Sequence, residues 1–237
     1  MPFTKNQIIT LEIEALSNDG NGVAHKDGQA VFVPLTAPGD VAEVRIVKPM
    51  KTYAFGRVEK LLEKSPSRAE PFCPIYKRCG GCVCQHMTYE ASLAFKRQQV
   101  QDLLQRVGGL SIEVPPVWGM AHPFGYRNKG AYPVAQTGGA PACGFFAPRS
   151  HDIIPIAQCP NAMPPADEIC RRVLGWMKRF HVEPYVEETH TGLVRHIVVR
   201  VNRKGEAMAV LVINGGEITH EGAVSYTHLT LPTILLV

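Results

Sequence analysis

No stretch of this 237-residue chain is apolar for long enough to cross a membrane as a helix, and its first residues, Met1-Pro2-Phe3-Thr4-Lys5, lack the apolar core of an export signal. The first absence excludes a helical membrane protein. The second gives a soluble, cytoplasmic protein as the expectation, in a reducing compartment where structural disulfides do not persist. Seven cysteines, an odd number, argue the same way. A large charge imbalance is also missing: the formal net charge is +4, and all of the excess falls on residues 65–132, with eight Lys/Arg against four Asp/Glu. Residues 1–64 balance at eight against eight, and the remainder at nine against nine. An excess of that size suits an anionic partner such as RNA, and equally describes a solvated face. With 45% hydrophobic residues, the chain can build one large core or two small ones.

What stands out against these absences is a run of thiols. Cys73, Cys79 and Cys82 fall within ten positions, in Pro71-Phe72-Cys73-Pro74-Ile75-Tyr76-Lys77-Arg78-Cys79-Gly80-Gly81-Cys82, and Cys159 follows far downstream before Pro160 and Asn161. A loop can fold three such thiolates round one inorganic core, with a fourth ligand supplied from elsewhere. Gly80 and Gly81 would let amide N–H groups approach sulfur. Zinc is the main competitor, although its structural sites usually use two short C-x2-4-C pairs rather than a triplet and a single. Spacing alone favours an iron–sulfur cluster over zinc, and both over disulfides. A radical enzyme is a weaker reading, since such sites use a C-x3-C-x2-C triplet that leaves one iron open. Cys84 lies close enough to serve as a decoy or a substitute, Cys143 has no assigned role, and Cys170 reads as a small apolar residue packed in a helix.

Periodicity divides the chain. Residues 7–62 carry five short strand-like runs and no helix: Gln7 to Ala15, with Ile9, Leu11, Ile13 and Ala15 on one face, then Gly22 to His25, Ala30 to Val33, Val41 to Val47 and Tyr53 to Leu62. This predicts a compact barrel of the oligonucleotide-binding kind. Arg45, Lys48, Lys51, Tyr53, Phe55 and Arg57 interleave cations with aromatics, a mixture that can hold single-stranded RNA, while Tyr53 and Phe55 could equally be core residues of a strand. Glu63 to Arg68 reads as a linker. One amphipathic helix is expected from Thr88 to Val107, capped by Thr88 and ended by Gly108 and Gly109. Further on come strands at Tyr126 to Ala135 and Ala142 to Phe146, a helix from Pro165 to Phe180, and a hairpin of Leu193 to Val201 with Glu206 to Ile213. That hairpin is apolar on both faces and should need cover. Arg127, Lys129, Arg149 and His151, in two polar groups, are candidate RNA contacts.

Several blocks together resemble one family: Gly20-Asn21-Gly22-Val23-Ala24-His25, Val31-Phe32-Val33-Pro34, Pro38-Gly39-Asp40, Cys73 through His86, Tyr126-Arg127-Asn128-Lys129, Arg149-Ser150-His151-Asp152 and Leu193-Val194-Arg195-His196. In order and wording they are similar to the bacterial 23S rRNA (uracil-5-)-methyltransferases, from about residue 4 to about 216. The resemblance implies an α+β chain. Residues 1–63 would form a TRAM domain, a five-stranded RNA-binding barrel, and residues 64–216 a mixed α/β domain in which Cys73, Cys79, Cys82 and Cys159 hold a 4Fe–4S cluster and Cys84 is no ligand. It implies 23S rRNA as the partner, S-adenosylmethionine as the methyl donor of the parent protein, and a monomer with no membrane association. In the family a cysteine thiolate attacks C6 of uracil, C5 takes the methyl group, and a carboxylate removes the C5 proton. The glycine-rich donor loop, the Asp-Pro-Pro-Arg segment and the Ser-Cys-Asn nucleophile of that chemistry are absent from this sequence. No catalytic residue is therefore assigned.

The expectation is of a fragment that docks RNA without a Rossmann-like catalytic domain. Val224-Ser225-Tyr226-Thr227-His228-Leu229-Thr230-Leu231-Pro232-Thr233 resembles a translated sequencing adaptor, so residues 217–237 are expected to be a non-native tail. The alternative is a complete, non-catalytic RNA-binding module carrying iron–sulfur or zinc.

Overall fold

The structure, a computed structural model, describes residues 3–215, and the tail reading therefore falls outside the described residues. It is a mixed α+β chain dominated by sheet, and the described residues fall in two compact units: 3–77 with 82–121, and 78–81 with 122–215. No helix among the described residues is long and apolar enough to cross a membrane.

The first unit is built on strands β1 (Ile8–Glu12), β2 (Ala15–Leu16), β3 (Gly22–Lys26), β4 (Gln29–Val33), β5 (Val41–Pro49) and β6 (Tyr53–Glu63). Their order is β1-β5-β6-β4-β3-β2, and the two edge strands are consecutive pieces of one chain segment. Glu14 N–H donates to the Val23 carbonyl (2.9 Å) and Ile13 N–H to the Asp40 carbonyl (2.8 Å), so the segment from Ile8 to Leu16 bridges both edges and closes the sheet. Counted as one, β1 and β2 give the five strands expected. Leu11, Ile13, Val31, Val33, Val44, Ile46 and Ala54 fill the interior, following the two-residue period of strands that bury one face.

The expected division at residue 63 differs from the observed one, because residues 64–77 and 82–121 cluster with the barrel. Glu63 to Arg68 is no linker. Ser65 N–H donates to Asp40 Oδ1 (2.9 Å), and Arg68 reaches both oxygens of the same carboxylate from Nε (2.9 and 3.0 Å) and Oδ2 from Nη2 (2.8 Å). Further along, His86 Nε2 donates to the Thr36 carbonyl (3.0 Å) while Nδ1 faces the Tyr76 hydroxyl (2.7 Å). Burial holds His86 below its ordinary value, which suits the neutral ring these bonds describe. Helix α1 (Tyr89–Asp102) starts where expected, with Thr88 Oγ1 accepting from Ala91 N–H (3.2 Å), and ends in a π-helical turn, Leu103–Val107. Its apolar stripe is not a buried one: Val100, Leu103 and Val107 are exposed, and Ser92 is the helix's buried residue.

The second unit is a five-stranded antiparallel sheet, β7 (Lys129–Thr137), β8 (Ala140–Phe146), β9 (Ile153–Pro155), β10 (Val194–Val201) and β11 (Ala207–Ile213), in the order β11-β10-β7-β8-β9. Helix α2 (Pro165–Arg179) packs on β8, β10 and β11. It covers the face that carries Val194, Ile197, Val199, Val201, Ala207, Ala209 and Leu211, so the hairpin expected to need cover receives it on one side. Proline at its first position and Asp167 and Glu168 in its first turn fit a helix N-terminus. Cys170 packs in this core together with Cys143, as expected. Tyr132 is buried beside them, and among the described residues its hydroxyl has no hydrogen-bond partner. Tyr132→Phe should therefore be neutral or stabilising by up to about 1–3 kcal/mol, the usual cost of an unsatisfied buried polar group, as read by chemical denaturation. A loss above 1 kcal/mol would mean that the hydroxyl is satisfied after all.

Candidate nucleic-acid interface and cysteine segments

The two-residue period of β4 and β6 decides what Tyr53 and Phe55 do. Val31, Val33 and Ala54 point into the barrel, so Phe32, Tyr53 and Phe55 lie on its outer face, each half-buried. β4 and β6 run parallel here, with Ala30 opposite Tyr53 and Phe32 opposite Phe55. The three rings form one cluster. Phe32 meets Tyr53 edge-on at 5.8 Å, Tyr53 meets Phe55 edge-on at 5.6 Å, and Phe32 and Phe55 tilt together at 5.7 Å. Sequence reading singled out Tyr53 and Phe55 and missed Phe32, whose alternation with Val31 and Val33 was the available signal.

The cations read beside these rings sort into two kinds. Arg45 Nε and Arg57 Nη2 share Glu59 Oε1 (2.8 and 3.1 Å), and hydrogen bonds from the two guanidinium groups pull that carboxyl down to about 2. Lys48 and Lys51 are exposed, and a bulge after Ile46 brings Lys48 directly opposite Phe55. The cluster thus has two half-neutralised arginines and two solvent-facing lysines at its rim.

The four cysteines divide between the units, Cys73 and Cys82 in the first, Cys79 and Cys159 in the second. Cys73, Cys79 and Cys159 are buried, and Cys82 is partly exposed. In the first unit Cys73 N–H donates to Gln85 Oε1 (3.2 Å). In the second, Gly81 N–H donates to Cys79 Sγ (3.3 Å), the contact expected from the glycine pair. Gly80 is required for close approach, since a Cβ there would lie 2.9 Å from the Phe146 carbonyl oxygen, and a Cβ on Gly81 would sit tightly, 3.3 Å from Cys79 Sγ.

Arg127 joins the two thiol-bearing segments of the second unit. Its Nη2 donates to the Gly81 carbonyl (2.8 Å), and its guanidinium carbon stands 5.7 Å from the centre of the Phe145 ring. Its backbone N–H donates to the Asn161 carbonyl (2.7 Å) and its own carbonyl accepts from Met163 N–H (3.1 Å). One residue thereby ties the Cys79 segment to the loop that carries Cys159, whose N–H donates to Asp167 Oδ1 (3.2 Å). Buried thiols with amide donors are the chemistry of an iron–sulfur donor set. Their placement is another matter: among the described residues no three His, Cys, Asp or Glu side chains stand together as a metal group.

The other candidate RNA residues are placed as follows. Lys129 opens β7 and is exposed. Arg149 is exposed in a left-handed turn position (φ 59°). His151 is exposed, stacks on Phe146 at 5.6 Å and has Nδ1 3.2 Å from Glu187 Oε2. Arg127 is half-buried with its guanidinium turned to the Gly81 carbonyl, whereas Lys129, Arg149 and His151 are exposed.

Residues 2–58 match the TRAM domain. Over 98% of its length the chain is 39% identical to a protein of Halalkalibacterium halodurans described as an uncharacterized RNA methyltransferase, of which it covers 52%. Proteins so described from Clostridium tetani (40% identical, 93% of this chain, 48% of the relative) and Listeria innocua (41%, 88% and 46%) are similar. The chain spans about half the length of the curated relatives it matches. The alignment with the first relative, over 98% of this chain, extends into residues 217–237. Among solved structures, Pyrococcus abyssi tRNA (uracil-54, C5)-methyltransferase in complex with S-adenosyl-L-homocysteine is similar, with a TM-score of 0.66 and 27% identity over 91% of this chain and 48% of that one.

Proposed function

We propose that this chain, which carries a TRAM domain and is homologous over most of its length to proteins named RNA methyltransferases, is the RNA-docking part of an S-adenosylmethionine-dependent RNA (uracil-C5) methyltransferase acting on 23S rRNA. The observation that carries the docking role is the cluster of Phe32, Tyr53 and Phe55 on the outer face of the barrel, rimmed by Lys48 and Lys51. Aromatic faces stack any base, and cations beside them meet the phosphates, so the surface suits single-stranded rather than duplex RNA. The relative of known structure acts on uracil C5 of tRNA, which supports the base and the carbon, whereas the choice of ribosomal RNA rests on the motif resemblance.

In this reading the part in hand binds and positions RNA and transfers no methyl group by itself, since the sequence has no Ser-Cys-Asn or Asp-Pro-Pro-Arg segment. S-adenosylmethionine would supply an electrophilic methyl group in the whole protein. Cys73, Cys79, Cys82 and Cys159 would hold a 4Fe–4S cluster with a structural role. The buried thiols, the Gly81 amide on Cys79 and the bridging Arg127 favour that assignment. A non-catalytic RNA-binding module remains the second reading, favoured by the RNA-facing surface taken alone. Binding of the methyl donor by the full-length gene product separates the two.

The docking surface is tested by fluorescence anisotropy with a labelled single-stranded RNA oligonucleotide. Tyr53→Ala and Phe55→Ala should each weaken binding by about 1–3 kcal/mol, roughly 5-fold to 150-fold, as expected for one lost base stack. Variants that bind as the parent does would move the RNA to another face.

A further inference from the structure

The sheet of the second unit has one face under α2, and its other face gathers positive charge at one end. Alternation along β10 turns Ile197, Val199 and Val201 toward the helix and His196, Val198 and Arg200 away from it. On the away-facing side the antiparallel register sets Lys129 of β7 directly opposite Arg200 of β10. Like charges facing each other across a strand pair destabilise a sheet. No ion pair or hydrogen bond from either side chain to a described residue relieves this one, and Met208 is the β11 neighbour of Arg200.

Two more cations follow in the β10–β11 turn. Arg203 and Lys204 are exposed three and four residues from Arg200, within about 10–13 Å at the rise of an extended chain. The turn that presents them is held rigidly. Asn202 Oδ1 accepts from Lys204 N–H (2.9 Å) and Glu206 N–H (3.0 Å), Asn202 N–H donates to the Glu206 carbonyl (2.9 Å), and Gly205 takes the left-handed conformation (φ 81°) that closes it. Glu206 is the carboxylate in this turn, and its Oε2 accepts from the Asn202 side-chain amide rather than from a cation.

We propose that Lys129, Arg200, Arg203 and Lys204 form a docking corner for the phosphodiester backbone of RNA. The proposal rests on the RNA-binding reading above and adds a second contact region, on the second unit, that reads charge and not base. Facing cations that cost stability alone are relieved when a polyanion lies across them. A turn already fixed by Asn202 loses little freedom on binding. Of the four residues, only Lys129 belongs to a motif that carried the resemblance; Arg200, Arg203 and Lys204 follow from register and turn geometry.

The test compares the whole chain with an Arg200→Gln, Arg203→Gln, Lys204→Gln triple variant, by RNA anisotropy across a salt series. All three positions are exposed, and the melting temperature should hold or rise, because losing the Arg200 charge relieves its repulsion with Lys129. Each single-strand phosphate contact contributes about 0.7 to the slope of log affinity against log salt, so the triple variant should show a slope shallower by about two and weaker binding at low salt. Equal slopes for parent and variant, with the parent binding RNA and the Phe55→Ala variant impaired, would overturn this corner while leaving the docking reading intact. A parent that binds no RNA overturns both. A parent that binds polyglutamate more tightly than RNA of equal charge would overturn the commitment to a nucleic acid.

Discussion

Asp40→Ala should destabilise the first unit by about 3–5 kcal/mol, the usual cost of breaking a buried ion pair from one side, and against a typical stability of about 5–15 kcal/mol that can unfold it at physiological temperature. The Asp40 side chain is wholly buried and Arg68 is 20% exposed. Its two oxygens accept from Ala37 N–H (2.7 Å), Ser65 N–H (2.9 Å) and the Arg68 guanidinium, so truncation strands three donors at once. Urea or guanidinium denaturation of the chain reads the loss directly. Asp40→Asn, which keeps acceptor capacity but not charge, should fall between parent and alanine variant. A loss below about 1 kcal/mol for Asp40→Ala would mean that the pair is dispensable and that residues 64–77 are held by other means.

The same carboxylate makes a prediction about pH. Burial on its own would raise its pKa, but the hydrogen bonds from Arg68, Ala37 and Ser65 outweigh burial and hold it below the ordinary range. With the folded value depressed, the unfolded chain binds the proton more readily. The stabilisation is therefore fully present above the unfolded carboxyl value, near about 3.9, and drains away as pH falls through the lower folded value. Parent and Asp40→Ala should accordingly converge in stability under acid.

How much of this was legible in the sequence depends on the range over which the determining contacts act. Local signals carried well. Alternation placed the strands of the barrel, Thr88 capped its helix, and Pro165 with two acids began the second one, because each rests on residues a few positions apart. Contacts between residues distant in sequence did not. Glu63 to Arg68 has the composition of a linker, and only a partner 28 residues away turns Arg68 into an anchor. The grouping of residues 64–77 with the barrel rests on contacts of that kind. Arg127 shows the same limit at the site: a cation in a polar motif reads as a phosphate contact, but its guanidinium is turned to the Gly81 carbonyl, 46 positions back. Charge pairing across strands was equally hidden, since Lys129 and Arg200 meet only through a register that spans the intervening helix.

Cys79→Ser and Cys159→Ser should each abolish the visible absorbance of protein purified without oxygen, if these thiolates hold the proposed cluster. The parent should carry about four irons per chain and each variant far less. Metal binding to such a set supplies folding free energy, so the variants should also lose solubility, and iron analysis separates this from a mere folding defect when applied to the soluble fraction. Cys84→Ser is the internal control, and should retain iron, because Cys84 lies outside the proposed set. Arg127→Met supplies the sharper comparison. It leaves every thiol in place but removes the hydrogen bond that ties the Cys79 segment to the Cys159 loop, so reduced iron content with all ligands present would identify Arg127 as a positioning residue. Four thiols without a visible chromophore, or one zinc and no iron in air-protected parent protein, would overturn the cluster. The proposed RNA-docking surface would stand unaffected, since Phe32, Tyr53 and Phe55 are positioned by the barrel's own core.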